Sequence, residues 1–353
     1  MLRLGSIQRT VGGMNEEPGP RRPTLLDVAR RAGVSRATAS LVVRKSPLVG
    51  AATRAGVERA MAELGYVYHQ GAARMRAARS RTVGVVVPDL ANPFFAVLLA
   101  GIESVLEAEG LAVLFANSNE GAAKQDGFVG RMREHGVDGL IVCPAEGTGI
   151  GLVDGAGTWR TPLVQVLRLV PDTAGDYAGI DYRAGMADAT QRLIALGHRR
   201  IAFASGDRRH SAQADRLEGY AAAMRANGLD PRRVVDLPLT HAAGRAAAAG
   251  MIAPPDRPTA ILCFNDVIAL GLHRGLSDLG VVLGRDLSLV GFDNVAEADL
   301  VRPGLASVAT EPFKVGASAA RLLLRRIMAP DAPVQRAVEP TRFVARESCG
   351  RAP

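Results

Sequence analysis

Short apolar runs alternate with amphipathic segments from Val83 onward, and this alternation constrains the fold more than any other feature of the chain. A strand buried on both faces is a continuous apolar run, and its parallel neighbour is reached through a crossover that is usually a helix. The alternation forms two successive sets that divide near Asp181. We therefore predict an α/β body of two doubly wound parallel-sheet subdomains with a cleft between them. The predicted strands are Val83–Val87, Ala112–Ala116, Gly139–Cys143, Leu163–Leu167, Ile201–Ala204, one near Val234, Ala260–Phe264 and Leu287–Val290.

A helical pattern replaces this alternation between Thr24 and Gly65. Thr24 can cap a helix whose apolar positions recur at helical spacing, and Gly33 can end that helix in a left-handed turn. Ser35 can cap a second helix, and residues 51–64 carry a third apolar face that ends at Gly65. Three short helices with a glycine turn between the first two predict a small all-α helix-turn-helix head.

The net charge of +8 is concentrated in the first quarter of the chain. Residues 1–82 carry 15 Lys and Arg against 5 Asp and Glu, a net charge of +10, whereas the remainder has a net charge of −2. Residues 69–82 hold four arginines and no acid. Because a helix this short is marginal in water, we expect the segment to become ordered against a polyanion, namely DNA. Residues 1–22 lack periodicity and are predicted to be a disordered arm.

The segment from Thr24 to Ser40 resembles the head of the lactose/galactose-repressor family, and residues 53–66 are similar to the third helix of that head. Five motifs of the body also occur in the family's order. They are Pro88–Phe95 (PDLANPFF), Val137–Ile141 (VDGLI), Leu196–Ile201 (LGHRRI), Arg216–Tyr220 (RLEGY) and Val290–Asn294 (VGFDN). The resemblance covers residues 24 to about 345. It implies a body like the periplasmic sugar-binding proteins, with a small effector held between its lobes.

The resemblance also implies a homodimer on a pseudo-palindromic operator, with the second helix of each head in the major groove. Arg36, Ala37 and Leu41 match the groove-facing positions, and Arg36 can form two hydrogen bonds to guanine. Leu41 departs from the polar or basic residue usual there and can offer only apolar contact, for example to a thymine methyl. Hydroxyl groups nearby suit phosphate oxygens, which position the head without specifying sequence. The predicted DNA-binding residues of the head are Thr24, Ser35, Arg36, Ala37, Thr38, Ser40 and Leu41.

Met75 matches the hinge leucine that, in the family, wedges between base pairs. An unbranched apolar side chain among arginines has no core to join, and minor-groove wedges are of this type. Arg74, Arg76 and Arg79 are expected to contact phosphates or the minor groove. A flexible solvated linker is the alternative, and it is the state that we expect without DNA.

Seven residues are predicted to bind the effector. The Phe94–Phe95 pair follows the first strand of the body, where open α/β sheets bind ligands; one ring is expected to stack on a sugar or base and the other to join the core. The resemblance aligns Arg216 and Asp293 with effector-binding residues, and a fork of donors beside an ionised acceptor suits a polyol. An interlobe ion pair is the alternative for these two, and helix capping is the alternative for the pair after Phe264. The set is Phe94, Phe95, Arg168, Arg216, Asn265, Asp266 and Asp293.

The predicted organisation has four parts: an arm (1–22), the helix-turn-helix head (23–68), a hinge (69–82) and the effector-binding body (83–347). Within the body, the first subdomain is expected to comprise residues 83–180 and 310–330, and the second residues 181–309 and 331–347. The chain ends soon after the apolar Phe343–Val344, without a counterpart of the family's tetramerising tail, so we expect a dimer.

Several classes of protein are not favoured. No run approaches the roughly 18 apolar residues of a membrane span, and no signal region precedes the head, so we expect a cytoplasmic protein. Cys143, Cys263 and Cys349 form no CxxC pair, so neither a disulfide framework nor a metal site is predicted. The Gly147–Gly151 stretch lacks the spacing of a dinucleotide loop, and no phosphate-loop, zinc-protease or nucleophile-elbow motif occurs. We therefore expect no active site and no cofactor.

Two other classes stay open. A periplasmic sugar-binding protein would share the body but would carry a signal peptide and no helix-turn-helix. An α/β enzyme acting on a sugar or nucleoside would need a catalytic constellation. The sequence favours a DNA-binding repressor controlled by a small polar effector, such as a sugar, a related polyol or a nucleoside.

Overall fold

The computed structural model describes residues 23–66, 80–206, 209–253 and 257–353. Contacts between residues divide the chain into two units, residues 1–78 and 79–353. The arm predicted over residues 1–22 lies outside the described residues, and so does most of the predicted hinge, including Arg74, Met75, Arg76 and Arg79.

The first unit contains three helices within its described residues: α1 (Leu25–Ala32), α2 (Arg36–Val43) and α3 (Ala51–Leu64). Thr24 and Asp27 form the predicted capping box at the start of α1, because each side chain bonds the other residue's backbone N–H. Gly33 ends α1 with φ of 65°, a left-handed conformation that suits glycine.

A small apolar core holds these helices together. Val28 of α1, Ala39 of α2 and Val57 of α3 are buried together, with Leu25, Val34 and Tyr66 packed at the edge. The charged residues that the structure describes in this unit lie outside the core, since the buried set is apolar. The prediction of a three-helix helix-turn-helix head is confirmed.

Two sheets organise the second unit, and each belongs to one lobe. The described strands of the first sheet have the order β11-β5-β4-β3-β1-β2 and pair in parallel. The second sheet has the order β12-β10-β9-β8-β6-β7, and only β12 runs antiparallel to its neighbour. The strands are β1 (Thr82–Val87), β2 (Ala112–Asn117), β3 (Gly139–Val142), β4 (Leu163–Val166), β5 (Asp176–Ile180), β6 (Ile201–Gly206), β7 (Val234–Leu237), β8 (Ala260–Cys263), β9 (Ser288–Asp293), β10 (Ala306–Ala309), β11 (Arg336–Glu339) and β12 (Arg342–Val344).

Helices lie between most successive strands, as the alternation of apolar runs predicts. They are α4 (Pro93–Ala108), α5 (Ala122–Glu134), α6 (Gly151–Trp159), α7 (Tyr182–Ala195), α8 (Ser211–Ala226), α9 (His241–Met251), α10 (Asp266–Asp278), α11 (Glu297–Leu300) and α12 (Pro312–Met328). The doubly wound architecture of the body is thereby confirmed. None of the helices in the described ranges is long and apolar enough to cross a lipid bilayer.

The structure corrects one predicted boundary. Residues 331–347 were expected in the second subdomain, but β11 pairs in parallel with β5 and completes the first sheet. Asp176 explains this placement, because its buried carboxylate accepts from the Gln335 backbone N–H at 2.8 Å and pairs with Arg326 at 2.8 Å. The segment therefore returns through the first lobe before β12 joins the second.

The first strand of the body is anchored where it leaves the predicted hinge. The Asp138 carboxylate accepts hydrogen bonds from the backbone N–H groups of Ser80 (2.6 Å) and Arg81 (2.9 Å). The Arg81 side chain also donates to the carbonyls of Glu109 and Gly110. Short, charge-assisted contacts therefore tie residues 80 and 81 to the first lobe.

Two helices of the first lobe approach each other at glycines. A Cβ atom at Gly101 of α4 would collide with the Phe313 carbonyl, and one at Gly316 of α12 would collide with the Leu98 carbonyl. Close backbone contact of this kind has no room for even one methyl group. The two contacts fix α12 against α4 in the lobe that carries one wall of the interlobe cleft.

We expect Gly316→Ala to lower the free energy of unfolding of the first lobe by about 2 kcal/mol, as overpacking does. Gly130→Ala is the matched control, because it also lies in a helix and a Cβ there meets nothing within 4 Å. That control should be neutral or stabilise by up to about 1 kcal/mol. Urea unfolding followed through Trp159, the single tryptophan, measures both. Equal effects of the two substitutions would contradict the close contact.

Candidate functional site

A cavity of about 290 Å³ lies between the two lobes of the body. Its walls come from the carboxyl ends of strands in both sheets, the position at which open α/β sheets bind ligands. Segments after β1 to β4 contribute one wall, and segments after β6 to β9 contribute the other. The lining residues include Asp89, Asn92, Phe94, Phe95, Asn119, Glu120, Cys143, Arg168, Tyr182, His210, Arg216, Thr240, Phe264, Asn265 and Asp293.

Phe94 and Phe95 stand at the start of α4 on the first-lobe wall. Asn92 caps this helix by accepting from the Phe94 backbone N–H at 3.0 Å, and Pro93 occupies its first turn. The two rings meet edge to face, with centroids 5.5 Å apart. Both rings are buried and both line the cavity. The structure therefore does not separate a cavity ring from a core ring, and stacking of either ring on an effector stays a prediction.

Arg216 of α8 lies at the centre of the second-lobe wall and is 4% exposed. Its guanidinium carbon is 3.9 Å from the ring centroid of Tyr182, 4.3 Å from Phe264 and 4.5 Å from Phe292. Cation–π attraction is strongest in such a desolvated place, about 2 kcal/mol for a good contact. Aromatic rings cannot accept all five guanidinium protons, however. Within the described part of the chain, the Arg216 Nε has no hydrogen-bond partner.

Asp293 ends β9 beside this guanidinium. Its Oδ1 lies 3.8 Å from the Arg216 Nη2, close enough to attract but longer than a hydrogen bond. Burial raises the pKa of Asp293 well above its ordinary value, and burial lowers the pKa of Arg216. The guanidinium and the carboxyl group thus face each other across a gap that no direct hydrogen bond closes.

Asp293 also has a strained backbone, with φ of 107°. Leu167, which lines the opposite wall, has φ of 64°. Bulky residues rarely adopt positive φ, and such conformations persist where surrounding contacts enforce them, often at ligand sites. Strain thus marks both walls of the cavity.

Arg168 follows β4 and is already paired. Its two terminal nitrogens each bond a carboxylate oxygen of Glu120 at 2.8 Å, a bidentate geometry, and Nη1 also reaches the Pro144 carbonyl at 3.2 Å. Both side chains are largely buried. The structure brings Arg168 to the cavity as predicted, but as one half of an ion pair.

Asn265 and Asp266 differ in position although they are neighbours. Asn265 lines the cavity and caps α10, with its Oδ1 accepting from the Ile268 N–H at 3.0 Å. Asp266 is fully buried behind the wall, where it accepts from Ser307 Oγ at 2.7 Å and the Val295 N–H at 2.8 Å. Burial raises its pKa to about 7. The prediction that Asp266 contacts the effector is wrong, because its oxygens are occupied inside the lobe.

Sequence reasoning missed several polar residues of the cavity, among them Glu120, Asn119, Tyr182, His210 and Thr240. Three of them, Asn119, Glu120 and Thr240, share a signal that the sequence does carry, because each lies shortly after an apolar strand. The pairing of Glu120 with Arg168, 48 residues away in sequence, leaves no trace in local spacing.

Among the described residues, two hydrogen bonds join the lobes beside the cavity. The Leu169 N–H of the first lobe donates to Ser211 Oγ at 2.8 Å, and the Arg209 N–H of the second lobe donates to Glu146 Oε1 at 2.8 Å. Each bond would break if the lobes separated, so the structure represents a state with the lobes in contact.

The helix-turn-helix unit presents its own surface. Ser35 caps α2 by accepting from the Thr38 N–H at 3.0 Å, and the two hydroxyls lie 2.9 Å apart. Arg36 and Ala37 are exposed at the start of the same helix. Backbone N–H groups and hydroxyls gathered at a helix N-terminus form a site that attracts phosphate.

The remaining predicted DNA-binding residues of the head are less exposed. Thr24 is occupied by its capping box with Asp27, and its hydroxyl donates to Asp27 Oδ2 at 2.6 Å. Ser40 and Leu41 are half-buried on α2. Arg74, Met75 and Arg76 lie outside the described residues.

Comparison with known proteins decides the family. A profile described as bacterial regulatory proteins, lacI family, matches residues 24–68, and one described as a periplasmic binding protein-like domain matches residues 190–349. Catabolite control protein A of Priestia megaterium is 33% identical over 307 residues, which cover 86% of this chain and 92% of that protein. The chain belongs to the lacI family.

Solved structures agree with this assignment. The lac repressor dimer bound to operator and the anti-inducer ONPF is similar with a TM-score of 0.83 and 26% identity, covering 93% of this chain and 99% of that one. A complex of the transcriptional regulator CelR with cellobiose is 31% identical, with a TM-score of 0.68 and coverage of 93% and 100%. The lacI-family member described here is therefore a DNA-binding transcription regulator with a periplasmic-binding-protein-like sensor, and not an enzyme. The resemblance noted in the sequence is confirmed.

Chemistry at the cavity agrees with a binding role. Cys143 is a free thiol in the wall, and burial raises its pKa to about 12, so it remains protonated at neutral pH. Across the described stretches, no group of three or more His, Cys, Asp or Glu residues is arranged to hold a metal ion. The regulator's cavity offers hydrogen bonds and aromatic faces rather than a nucleophile.

We expect Glu120→Gln to lower the free energy of unfolding of the first lobe by about 3 kcal/mol, because it leaves the buried Arg168 charge without its counter-charge. Glu311→Gln is the control, since its pairing with Lys314 is exposed and should matter by less than about 1 kcal/mol. Urea titration followed by Trp159 fluorescence measures the free energy of unfolding of both variants. A loss as small as that of the control would show that the Arg168–Glu120 pair is not a buried charge pair.

Proposed function

We propose that the regulator is a homodimeric repressor that binds a pseudo-palindromic operator, and that a neutral polyol-like molecule bound between the lobes controls its operator affinity. The class of effector is a sugar, a related polyol or a nucleoside. The protein would act in the cytoplasm, where the operator is.

The observation that carries the effector proposal is the incomplete pairing of Arg216 and Asp293. A buried donor without a partner costs free energy, on the order of 1–3 kcal/mol, until a ligand satisfies it. The Arg216 Nε has no partner among the described residues, and Asp293 stops at 3.8 Å from the guanidinium. A hydroxyl group can accept a hydrogen bond from the guanidinium and donate one to the carboxylate at the same time. A ligand hydroxyl placed between Arg216 and Asp293 would therefore bridge the two side chains.

Charge balance supports a neutral ligand over an anionic one. The cavity is lined by two arginines, Arg168 and Arg216, and by three carboxylates, Asp89, Glu120 and Asp293. Glu120 already neutralises Arg168, and the Asp293 carboxyl group lies 3.8 Å from Arg216, so the lining carries no excess of cations that would favour a phosphate or carboxylate group. The edge-to-face rings of Phe94 and Phe95 offer apolar faces for a sugar or base.

The head supports the operator proposal. Arg36 is exposed beside the capped start of α2, where a guanidinium can reach a guanine edge while hydroxyls and N–H groups of the helix start contact phosphates. Arg74, Met75 and Arg76 would contact the minor groove from the hinge, with Met75 as the wedge. Thr24, Ser40 and Leu41 complete the proposed contact set.

Control by the effector would run through the lobes. Three chain crossings join the sheets, at residues 181, 310–311 and 340–341, between strands of different sheets. A ligand that changes the angle of the lobes would move the first lobe and, through Asp138, residues 80–81 at the end of the hinge. Because binding is reciprocally linked, the effector must bind the operator-bound and free states with different affinity.

We expect Arg36→Ala to weaken binding to the selected operator by about 10- to 100-fold, the range for loss of a bidentate base contact of about 1–3 kcal/mol. Operators are first selected from a random duplex library, and affinity is then measured by fluorescence anisotropy at fixed salt. Binding to random duplex should change by less than about threefold, because one phosphate contact at most is lost.

Arg225→Ala in the sensor is the matched control, since Arg225 is equally cationic and exposed. This substitution should change neither the affinity for the operator nor the affinity for random duplex. If Arg36→Ala weakened operator and random duplex alike, the base-reading role of Arg36 would be wrong.

We expect at least one member of a panel of D-ribose, D-galactose, cellobiose, lactose, adenosine and guanosine to raise the melting temperature and to change operator affinity by fivefold or more, about 1 kcal/mol of coupling. Asp293→Asn should weaken the binding of that ligand by about tenfold, since a hydrogen bond to a charged group is worth about 1.5–3 kcal/mol. Asp278→Asn, on the surface of α10, is the control. If the ligand bound the Asp293→Asn variant as tightly as the wild type, Asp293 would not be a ligand-binding residue.

A further inference from the structure

Asp266 is an acidic residue that the cavity does not use, although it follows Asn265 directly. Its carboxylate is fully buried behind β9, and Gly291 leaves the space for it, because a Cβ at Gly291 would collide with Asp266 Oδ1. Burying a carboxylate is costly unless its oxygens accept hydrogen bonds, and those of Asp266 do.

Those hydrogen bonds converge on the turn that follows Asp293. Asp266 Oδ2 accepts from the Val295 N–H at 2.8 Å, and Oδ1 accepts from Ser307 Oγ at 2.7 Å. Ser307 Oγ in turn accepts from the Asn294 N–H at 3.1 Å. One carboxylate and one hydroxyl thereby hold the two backbone N–H groups immediately after Asp293.

The turn needs such support because its backbone is strained. Asp293 has φ of 107° and Asn294 has φ of 56°, two consecutive positive values on residues other than glycine. Conformations of this kind cost about 1–3 kcal/mol each and persist only when neighbouring contacts impose them. Thr310 adds a contact from the other side, since its hydroxyl donates to the Asp293 carbonyl at 3.2 Å.

We propose that Asp266 is a positioning residue for the effector site: together with Ser307 it locks the strained turn that directs the Asp293 carboxylate towards Arg216. Asp266 does not touch the ligand. It sets the separation between Asp293 and Arg216 that leaves room for a hydroxyl group. The inference rests on the proposed function for the role of Asp293, but its test needs no ligand and therefore fails or succeeds independently.

Residue-resolved amide hydrogen exchange of the full-length protein tests the lock. In Asp266→Ala, exchange at both Asn294 and Val295 should accelerate by about tenfold or more, because both N–H groups lose their acceptors or the group that orients them. In Ser307→Ala, exchange should accelerate at Asn294 more than at Val295, since only the former donates to the hydroxyl. Asp266→Asn retains an acceptor and should recover most of the protection.

Asp278→Asn is the matched control on the same helix, and it should change neither amide. Amides of β8 and β6 report on the whole lobe and should remain as protected as in the wild type in each variant. Unchanged exchange at Asn294 and Val295 in both alanine variants would overturn the proposal. A uniform loss of protection across the lobe that Asp266→Asn does not rescue would also overturn it, because Asp266 would then serve general stability. If Asp266→Ala does not fold, the exchange rates in Ser307→Ala decide: a larger acceleration at Asn294 than at Val295 supports the proposal, and equal or no acceleration overturns it.

Discussion

A guanidinium buried among three aromatic rings keeps its charge but lacks enough acceptors, and Arg216 is in this situation. Tyr182, Phe264 and Phe292 surround it, and Asp293 attracts it from 3.8 Å without forming a hydrogen bond. Water and protein groups normally satisfy such donors, and a deficit in a cavity is stable only if the rest of the lobe enforces it. The sensing role that we propose depends on this enforced deficit.

The fold maintains this shortage of acceptors around Arg216 in two ways. Parallel strands bring their carboxyl ends to one edge of each sheet, so residues distant in sequence, such as Phe94 and Arg168, meet at one cavity. Behind that edge, buried polar pairs hold the walls in place: Glu120 with Arg168 in the first lobe, and Asp266 with Ser307 in the second. Because these pairs are satisfied internally, the buried guanidinium and carboxyl groups that face a ligand on the described part of the second-lobe wall are those of Arg216 and Asp293.

Local patterns predicted much of this from the sequence, and long-range pairing accounts for what they missed. Apolar periodicity located most strands, and the spacing of Thr24, Gly33 and Ser35 located the helix-turn-helix, since both depend on neighbours in the chain. The pattern could not place β11, whose partner is β5 in the other half of the body. It also could not distinguish Asn265 from Asp266, because α10 turns one side chain towards the cavity and the other inward.

A crystal structure of the regulator with the panel ligand that raises its melting temperature most would test the central claim directly. The account predicts that a ligand oxygen lies within hydrogen-bonding distance, about 3 Å, of both the Arg216 guanidinium and the Asp293 carboxylate. A ligand bound outside the interlobe cavity would contradict it. So would an Arg216–Asp293 pair that closes into a direct hydrogen bond while the ligand contacts neither.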